Sequence, residues 1–446
     1  MEAERIFEEC IKPSSPTLHP KTYKISLLDQ FVPCIYFPVI LFYRNENPNL
    51  PDINSIISER SKLLKQSLSE TLTHFYPLAG RIKDKLSIDC NDEGVFYVEA
   101  RVNTSLSEYQ NQHEFLASTT TLLPEKLNQY QELAPGSYVA MIQETNFACG
   151  GITIGILASH MIMDGTALSS FLRYWASVTS KSREGLVYPN FDSSFLFPQY
   201  ESFPKEATVY GMMSSVGVQV GKISIKRFKF DASTIAALKA KAISLSVENP
   251  TSVEVLSALF SKHIMAISKA RSGVEKQLAI MHSVNLRRKA SPPLSKSSMG
   301  NFLWQVATLC KPDEATFSSI LRQIRDAIAK VDGDFVKKLQ GDEGFLNLYE
   351  MVKETSGVLH DVEHINFVSW CNFGLYETDF GWGKPAWVTN FVDCLGNSET
   401  VLAGSLVYFM DTKEEKGIEA WAFMNEKDML LLEKDSDFLQ YACVDP

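Results

Sequence analysis

An α/β fold in two successive halves is predicted, and three observations predict it. Short apolar runs alternate with amphipathic helical stretches along the chain. Between about Pro189 and Gly221 the composition changes to Pro, Ser, Gly and aromatic residues without periodicity, as in a crossover between domains. The alternation then begins again with a similar set of elements. At 446 residues and 45% hydrophobic, the chain is long enough for two domains that each bury a core. The expected division is 1–200, a linker at 201–221, and 222–446.

Taken in order, the first half opens with an apolar run at Tyr23–Leu28. The following run from Phe31 to Tyr43 is interrupted by Pro33 and Pro38, so it reads as a strand with its entry or as a pair of strands. Helical spacing predicts a helix from about Ile56 to Leu72. Strands follow near Leu86–Cys90, Val95–Ala100, Tyr138–Phe147 and Gly151–Ala158. After them Ala167, Leu168, Phe171, Leu172 and Trp175 recur at helical spacing. His160 therefore stands at a strand end. Asp164 stands just before the first turn of a helix, where its carboxylate can cap backbone N–H groups or reach another partner.

The second half begins with Ile223–Phe230 and a helix at Ser233–Ile243. Thr251-Ser-Val-Glu254 has the capping-box spacing ahead of a helix to about Lys269. Strands are expected at Leu278–Leu286 and Asn301–Leu309, a long helix over Ala315–Leu339, and strands at Ile365–Trp370, Ala386–Val392 and Ser405–Met410.

The net charge of −10 and a pI near 5.4 argue against nucleic acid and anionic membranes, which select basic surfaces. No segment reads as a signal peptide or a transmembrane span, and the C-terminal Cys443-Val-Asp-Pro446 is no targeting signal, so a cytosolic protein is expected. The eight cysteines show no C-x-x-C spacing and read as small buried hydrophobes in a reducing compartment.

Two motifs stand out, His160-Met-Ile-Met-Asp164 followed by Gly165, and Asp379-Phe-Gly-Trp-Gly383-Lys-Pro385. An imidazole accepts a proton at neutral pH and can return it to a leaving group, which suits a general base. A core histidine beside a helix cap is the competing reading. The second motif shares its first three letters with a kinase signature, but no Gly-x-Gly-x-x-Gly loop accompanies it. Glycines on both sides of Trp382, with Pro385 beyond, point instead to a tight turn that buries a large ring.

Other patterns are weaker. Gly217-Val-Gln-Val-Gly221-Lys222 is one residue short of a P-loop and lacks the following Ser or Thr, so it reads as linker. His360-Asp-Val-Glu-His364 has the spacing of an inverted zinc-peptidase motif, but Gly357 and the strand-like Ile365-Asn-Phe-Val leave a helix little room; no metal is expected. The absence of a Gly-x-Ser-x-Gly elbow gives no support to a covalent intermediate.

The two motifs in this order and separation, together with Leu28-Asp29-Gln30, Phe75-Tyr-Pro-Leu-Ala-Gly-Arg81, Asp89-Cys-Asn-Asp-Glu-Gly94, Val284-Asn-Leu-Arg287 and Met299-Gly-Asn301, resemble the plant BAHD acyltransferase family along nearly the whole chain. Lys12-Pro-Ser-Ser-Pro16, Ser369-Trp-Cys371 and Gly381-Trp-Gly-Lys-Pro385 are similar to its alkaloid-acetylating branch. The resemblance implies two chloramphenicol-acetyltransferase-like domains, each a mixed sheet with flanking helices, and an active-site channel between them. It further implies a monomer with acetyl-CoA as co-substrate, no permanently bound cofactor, and a small-molecule alcohol as acceptor, here a plant (monoterpene indole) alkaloid.

By the same resemblance His160 is the general base, and Asp164 is structural, paired with Arg287. Asp379, Gly381, Trp382 and Gly383 form a structural turn. Trp370 lies beside the acyl group as an oxyanion donor, a core tryptophan being the competing reading, and Val368 stands where many relatives carry Thr. Lys226 and Arg227 are candidates for the coenzyme A phosphates, against a solvated strand face. The stretches Ile154–Ala158, Phe302–Val306 and Ile365–Trp370 hold no Lys or Arg, which favours acetyl over malonyl transfer. Arg173 is the nearby cation whose facing the sequence leaves open. Volatile-ester, malonyl or hydroxycinnamoyl transfer, a zinc hydrolase and a non-catalytic ligand-binding relative are the alternatives.

Overall fold

The computed structural model describes the chain except residues 1, 19–20, 47–51, 113–114, 126–131, 183–185, 209–218, 358–361, 391–399, 403, 415 and 446. It forms two compact units, each discontinuous in sequence. The first comprises Met1–Phe203, Ser295–Asn301 and Phe373–Gly396; the second comprises Pro204–Leu294, Phe302–Asn372 and Asn397–Pro446. Asp379–Gly383 thus falls in the first unit, not with residues 222–446 as expected. The physical reason is a short strand, Trp387–Thr389, that pairs antiparallel with Phe42–Ile40 and carries the motif with it. Residues 209–218 of the expected linker, Gly217 among them, lie outside the described residues.

The large sheet of the first unit is built from β1 (Glu4–Ile11), β2 (Tyr36–Tyr43), β3 (Val95–Val102), β4 (Ala140–Phe147) and β5 (Ile152–Ser159), with Trp387–Thr389 at one edge. Its order is β1-β3-β4-β5-β2 and then Trp387–Thr389. Only β3 and β4 run parallel. Every residue of β4 and β5 is buried, which explains why β5 reads as a nearly continuous apolar run; β4 instead encloses the polar Gln143, Glu144, Thr145 and Asn146. Helices α2 (Ile53–His74) and α3 (Gly165–Thr179) pack together, and the fully buried Trp175 indole of α3 donates to the Leu64 carbonyl at 3.2 Å and to Ser67 Oγ at 3.0 Å. One expectation fails here. Tyr23–Leu28 is not a single run, because Leu27–Phe31 forms a short helix, α1, capped by Ser26.

A buried carboxyl lies inside this unit. Glu144 of β4 is fully enclosed, takes a 2.5 Å hydrogen bond from Tyr97 Oη and a 3.2 Å bond from Asn146 Nδ2, and burial pushes its pKa up to about 7. The folded state therefore holds a proton that the unfolded chain has released, so stability falls as pH rises from about 4.5 towards 7. Glu144→Gln is expected to remove that decline, worth on the order of 3 kcal/mol. Denaturation midpoints of wild type and variant at pH 5 and pH 8 check it: an equal gap at both pH values would contradict it.

The second unit's sheet contains β6 (Ile223–Phe230), β7 (Leu278–Asn285), β8 (Leu303–Cys310), β9 (Glu363–Ser369), β10 (Ser405–Asp411), β11 (Ile418–Asn425) and β12 (Cys443–Asp445), in the order β8-β7-β9-β10-β11-β6-β12. The β7–β9 and β9–β10 pairs are parallel. Helices α4 (Ala232–Ser244), α5 (Ser252–Ser272) and α6 (Phe317–Ala329) supply apolar faces to its core, where Phe228, Phe260, Phe367, Phe409 and Phe438 meet. The capping box expected at Thr251 and Glu254 is formed. The expected helix over 315–339 is interrupted after Ala329, since Asp332 caps a new short helix at Gly333–Lys338 by accepting from Phe335 N at 2.9 Å. A further helix at Gly344–Gly357 gave no recognised signal in the sequence.

Candidate active site

β5 ends at Ser159, and the next residue is His160. Its backbone N–H donates to the Ile35 carbonyl at 2.8 Å, fixing the point where the chain leaves the sheet. Four residues later Asp164 caps α3, its Oδ1 accepting from Ala167 N at 2.9 Å. The helix begins with Gly165 for a steric reason. A Cβ there would lie 2.4 Å from the Phe373 ring, and Phe373 is held by a hydrogen bond from Ser169 Oγ to its carbonyl.

The His160 ring is half-buried and lies against the half-buried ring of Phe37, centroids 4.8 Å apart and tilted by 53°. Loss of solvation lowers its pKa; the charge of Asp164, the Asn301 side chain and the His160 and Met163 carbonyls oppose that shift in part. The net result is a ring that is neutral at pH 7.

His160 Nδ1 lies 2.8 Å from Asn301 Oδ1. Asn301 is anchored by its backbone N–H and its Nδ2, both to Asp29 Oδ1, at 2.7 and 2.8 Å, and its Nδ2 also reaches the His160 carbonyl at 2.6 Å. The other Asp29 oxygen accepts from Ser26 N at 2.8 Å and from Ser26 Oγ at 2.7 Å. Burial raises the Asp29 pKa, and these donors pull it back. Gly300 makes the approach feasible: its φ is +125°, and a Cβ would lie 3.2 Å from Ser193 Oγ and 3.4 Å from Asp29 Oδ1. Asp29 and Asn301 lie in stretches that carry the family resemblance, Leu28-Asp29-Gln30 and Met299-Gly-Asn301, and periodicity assigns neither a chemical role. The Ser26-x-x-Asp29 capping spacing was the available signal.

Asp379 closes a turn, its Oδ1 accepting from Gly381 N at 2.8 Å and Gly383 N at 3.0 Å. Both glycines sit at positive φ, +104° and +103°. Phe380 is buried against Trp175 at a centroid distance of 4.9 Å and stacks on Trp382 at 5.7 Å, while the Arg60 guanidinium lies 5.3 Å from the Trp382 ring centre.

A sequence profile of the Transferase family matches residues 1–439. The chain belongs to this family, the BAHD acyltransferases. Epi-neemfruitin B 7-O-acetyltransferase of Melia azedarach is 46% identical, covering 100% of this chain and 99% of the relative. Limonoid 7-O-acetyltransferase of Citrus sinensis is 47% identical over the same shares. Among solved structures, vinorine synthase matches with a TM-score of 0.78 and 32% identity, covering 99% of this chain and 98% of that one.

The remaining residues singled out for this BAHD protein belong to the second unit. Arg287 is buried, its guanidinium 4.4 Å from the Phe302 ring centre. Trp370 follows β9 and donates its backbone N–H to Phe409 O at 2.8 Å. Ile365 and Phe367 point into the core, so alternation puts Val368 and Trp370 on the opposite face and Ser369 on the core side, where it cannot replace the missing threonine. Lys226 is paired with Glu433 at 3.0 Å, and Arg227 with the buried Glu419 at 3.8 Å and the Trp421 ring at 5.4 Å. Both cations thus have carboxylate partners within the unit.

His364 lies in β9, a strand, where adjacent Glu363 and His364 face opposite sides, so the helical premise of the zinc motif fails; His360 is outside the described residues. Among the described residues no group of three His, Cys, Asp or Glu side chains could hold a metal ion, and no helix is long and apolar enough to cross a membrane. Not all cysteines are packed as expected. Cys90 and Cys310 are buried, Cys443 is exposed, four others are half-buried, and Cys394 is outside the described residues.

Proposed function

We propose that this BAHD acyltransferase transfers an acetyl group from acetyl-CoA to a hydroxyl of a polycyclic plant metabolite, with His160 as general base and no acyl-enzyme. The observation that carries this is the half-buried imidazole at the end of β5, its Nδ1 held 2.8 Å from Asn301 Oδ1 and its pKa lowered by burial. His160 Nε2 takes the hydroxyl proton as the oxygen attacks the thioester carbonyl. The tetrahedral oxyanion then collapses, the C–S bond breaks, and the thiolate of coenzyme A recovers the proton from the imidazolium. The setting is cytosolic and the enzyme monomeric.

The acceptor placed first is a limonoid-type alcohol, because the relative of 47% identity is named a limonoid 7-O-acetyltransferase, and that of 46% identity is named for 7-O-acetylation as well. The Phe37 ring beside His160 gives the base an apolar neighbour suited to a terpenoid skeleton. The alkaloid alcohol implied by the finer sequence resemblance stands second. For the donor, Arg173 is exposed on α3 and the stretches Ile154–Ala158, Phe302–Val306 and Ile365–Trp370 hold no Lys or Arg, so a malonyl carboxylate would be left unpaired on desolvation.

A coenzyme A release assay tests both assignments, crossing limonoid alcohols, alkaloid alcohols and shikimate with acetyl-, malonyl- and coumaroyl-CoA. Acetyl-CoA with a limonoid alcohol is expected to give the highest kcat/KM. A malonyl-CoA value equal to or above that of acetyl-CoA would refute the donor, and an alkaloid alcohol ahead of every limonoid would restore the second acceptor.

A further inference from the structure

The amide of Asn301 can be oriented from its surroundings alone. Its Nδ2 faces Asp29 Oδ1 at 2.8 Å and the His160 carbonyl at 2.6 Å. The carbonyl only accepts, and the Asp29 oxygen already accepts the Asn301 backbone N–H at 2.7 Å. The NH2 group must therefore be on that side. Its oxygen consequently faces His160 Nδ1 at 2.8 Å, and an amide oxygen cannot donate, so Nδ1 carries the hydrogen. In a neutral ring that leaves the lone pair on Nε2.

We infer that Asn301 and Asp29 are positioning residues for catalysis, Asn301 by holding His160 in the Nδ1–H tautomer and Asp29 by holding Asn301. The inference rests on His160 being the base. Neither residue needs to touch substrate. In free neutral histidine the Nε2–H tautomer is the more populated, and a ring in that form cannot take a proton at Nε2. Without the amide oxygen the ring would relax towards the unproductive form. The carboxylate has a second effect. Once Nε2 is protonated the ring is a cation, and the amide dipole between it and Asp29 points its oxygen to the ring and its NH2 to the carboxylate, so the negative charge favours the imidazolium at one remove. All four donors to Asp29 come from Ser26 and Asn301, and the positive φ of Gly300 lets two of them converge.

The test uses full-length enzyme labelled with 15N-histidine, with the His160 ring signals assigned by their loss in His160→Gln. Wild type at pH 8 is expected to show a hydrogen-bearing Nδ1 and a bare Nε2. Asn301→Ala should lower kcat about 10- to 100-fold, leave KM for both substrates within about threefold, and move the ring signals towards the Nε2–H form. Asp29→Asn preserves volume and serves if Asn301→Ala does not fold. It should lower kcat about tenfold and shift the acid limb of the kcat/KM profile to lower pH, because the ring loses its remote counter-charge.

A hydrogen on Nε2 in wild type would overturn the inference, as would an Asn301→Ala enzyme with unchanged ring signals and kcat within threefold. An unchanged acid limb in Asp29→Asn would overturn the role of the carboxylate. Full activity in a His160→Ala enzyme, with the wild-type ring signals as expected, would instead remove the base assignment on which the inference stands.

Discussion

His160→Ala is expected to lower kcat by about 10²–10⁴, the usual contribution of a positioned general base. Two proton transfers fail together in this variant. The acceptor hydroxyl must ionise without help, and the thiolate of coenzyme A leaves without a returning proton. The fold should survive, because the ring is only half-buried and its backbone bond to the Ile35 carbonyl does not involve the side chain. A melting temperature within a few degrees of wild type, with acetyl-CoA binding retained, is the companion expectation. In wild type the acid limb of kcat/KM should lie below the ordinary histidine value of about 6.5, since burial lowers the pKa of this ring. Turnover within a few-fold of wild type would end the assignment.

Phe380→Ala should be the most damaging change to stability, about 3–5 kcal/mol. Only 1% of Phe380 is exposed, and its ring meets Trp175 at 4.9 Å, Trp382 at 5.7 Å and Tyr43 at 5.9 Å. Those neighbours belong to α3, to the Asp379 turn and to β2, three segments far apart in sequence, so little of the resulting void can close. A fall in melting temperature of roughly 10 °C, with residual activity at low temperature, is the expected pattern. A variant that melts like wild type but no longer binds acetyl-CoA would make the turn part of the binding surface.

Local patterns carried most of the fold. Ile223–Phe230 and the capping box at Thr251 are formed as the sequence implied, because their signals lie within a few residues of one another. The helix at Leu27–Phe31 was hidden inside an apolar run, where buried strand and buried helix look alike. The break after Ala329 rests on one capping residue, Asp332, inside a stretch whose apolar spacing otherwise continues. At the site, His160 and Asp164 were legible as a strand end and a helix cap. Asn301 was not, since its role arises only when a segment 141 residues later in the chain returns to the His160 loop. Pattern-reading finds periodic and adjacent residues; it has no means of pairing an asparagine with a histidine at that distance. The ion pairs of Lys226 and Arg227 are hidden from it for a related reason, their carboxylate partners lying far along the chain at Glu433 and Glu419.

The first unit takes Ser295–Asn301 and Phe373–Gly396 from beyond the start of the second. On the ribosome, at about 5–20 residues per second, His160 is made roughly 7–28 s before Asn301. During that interval the nascent sheet has its β5 end but neither the amide that sets the ring nor the Trp387–Thr389 strand that closes its edge. A released fragment ending near residue 203 would stay in that unfinished state, with an open strand edge on β2, and truncation at the apparent midpoint should yield an aggregation-prone chain rather than half an enzyme.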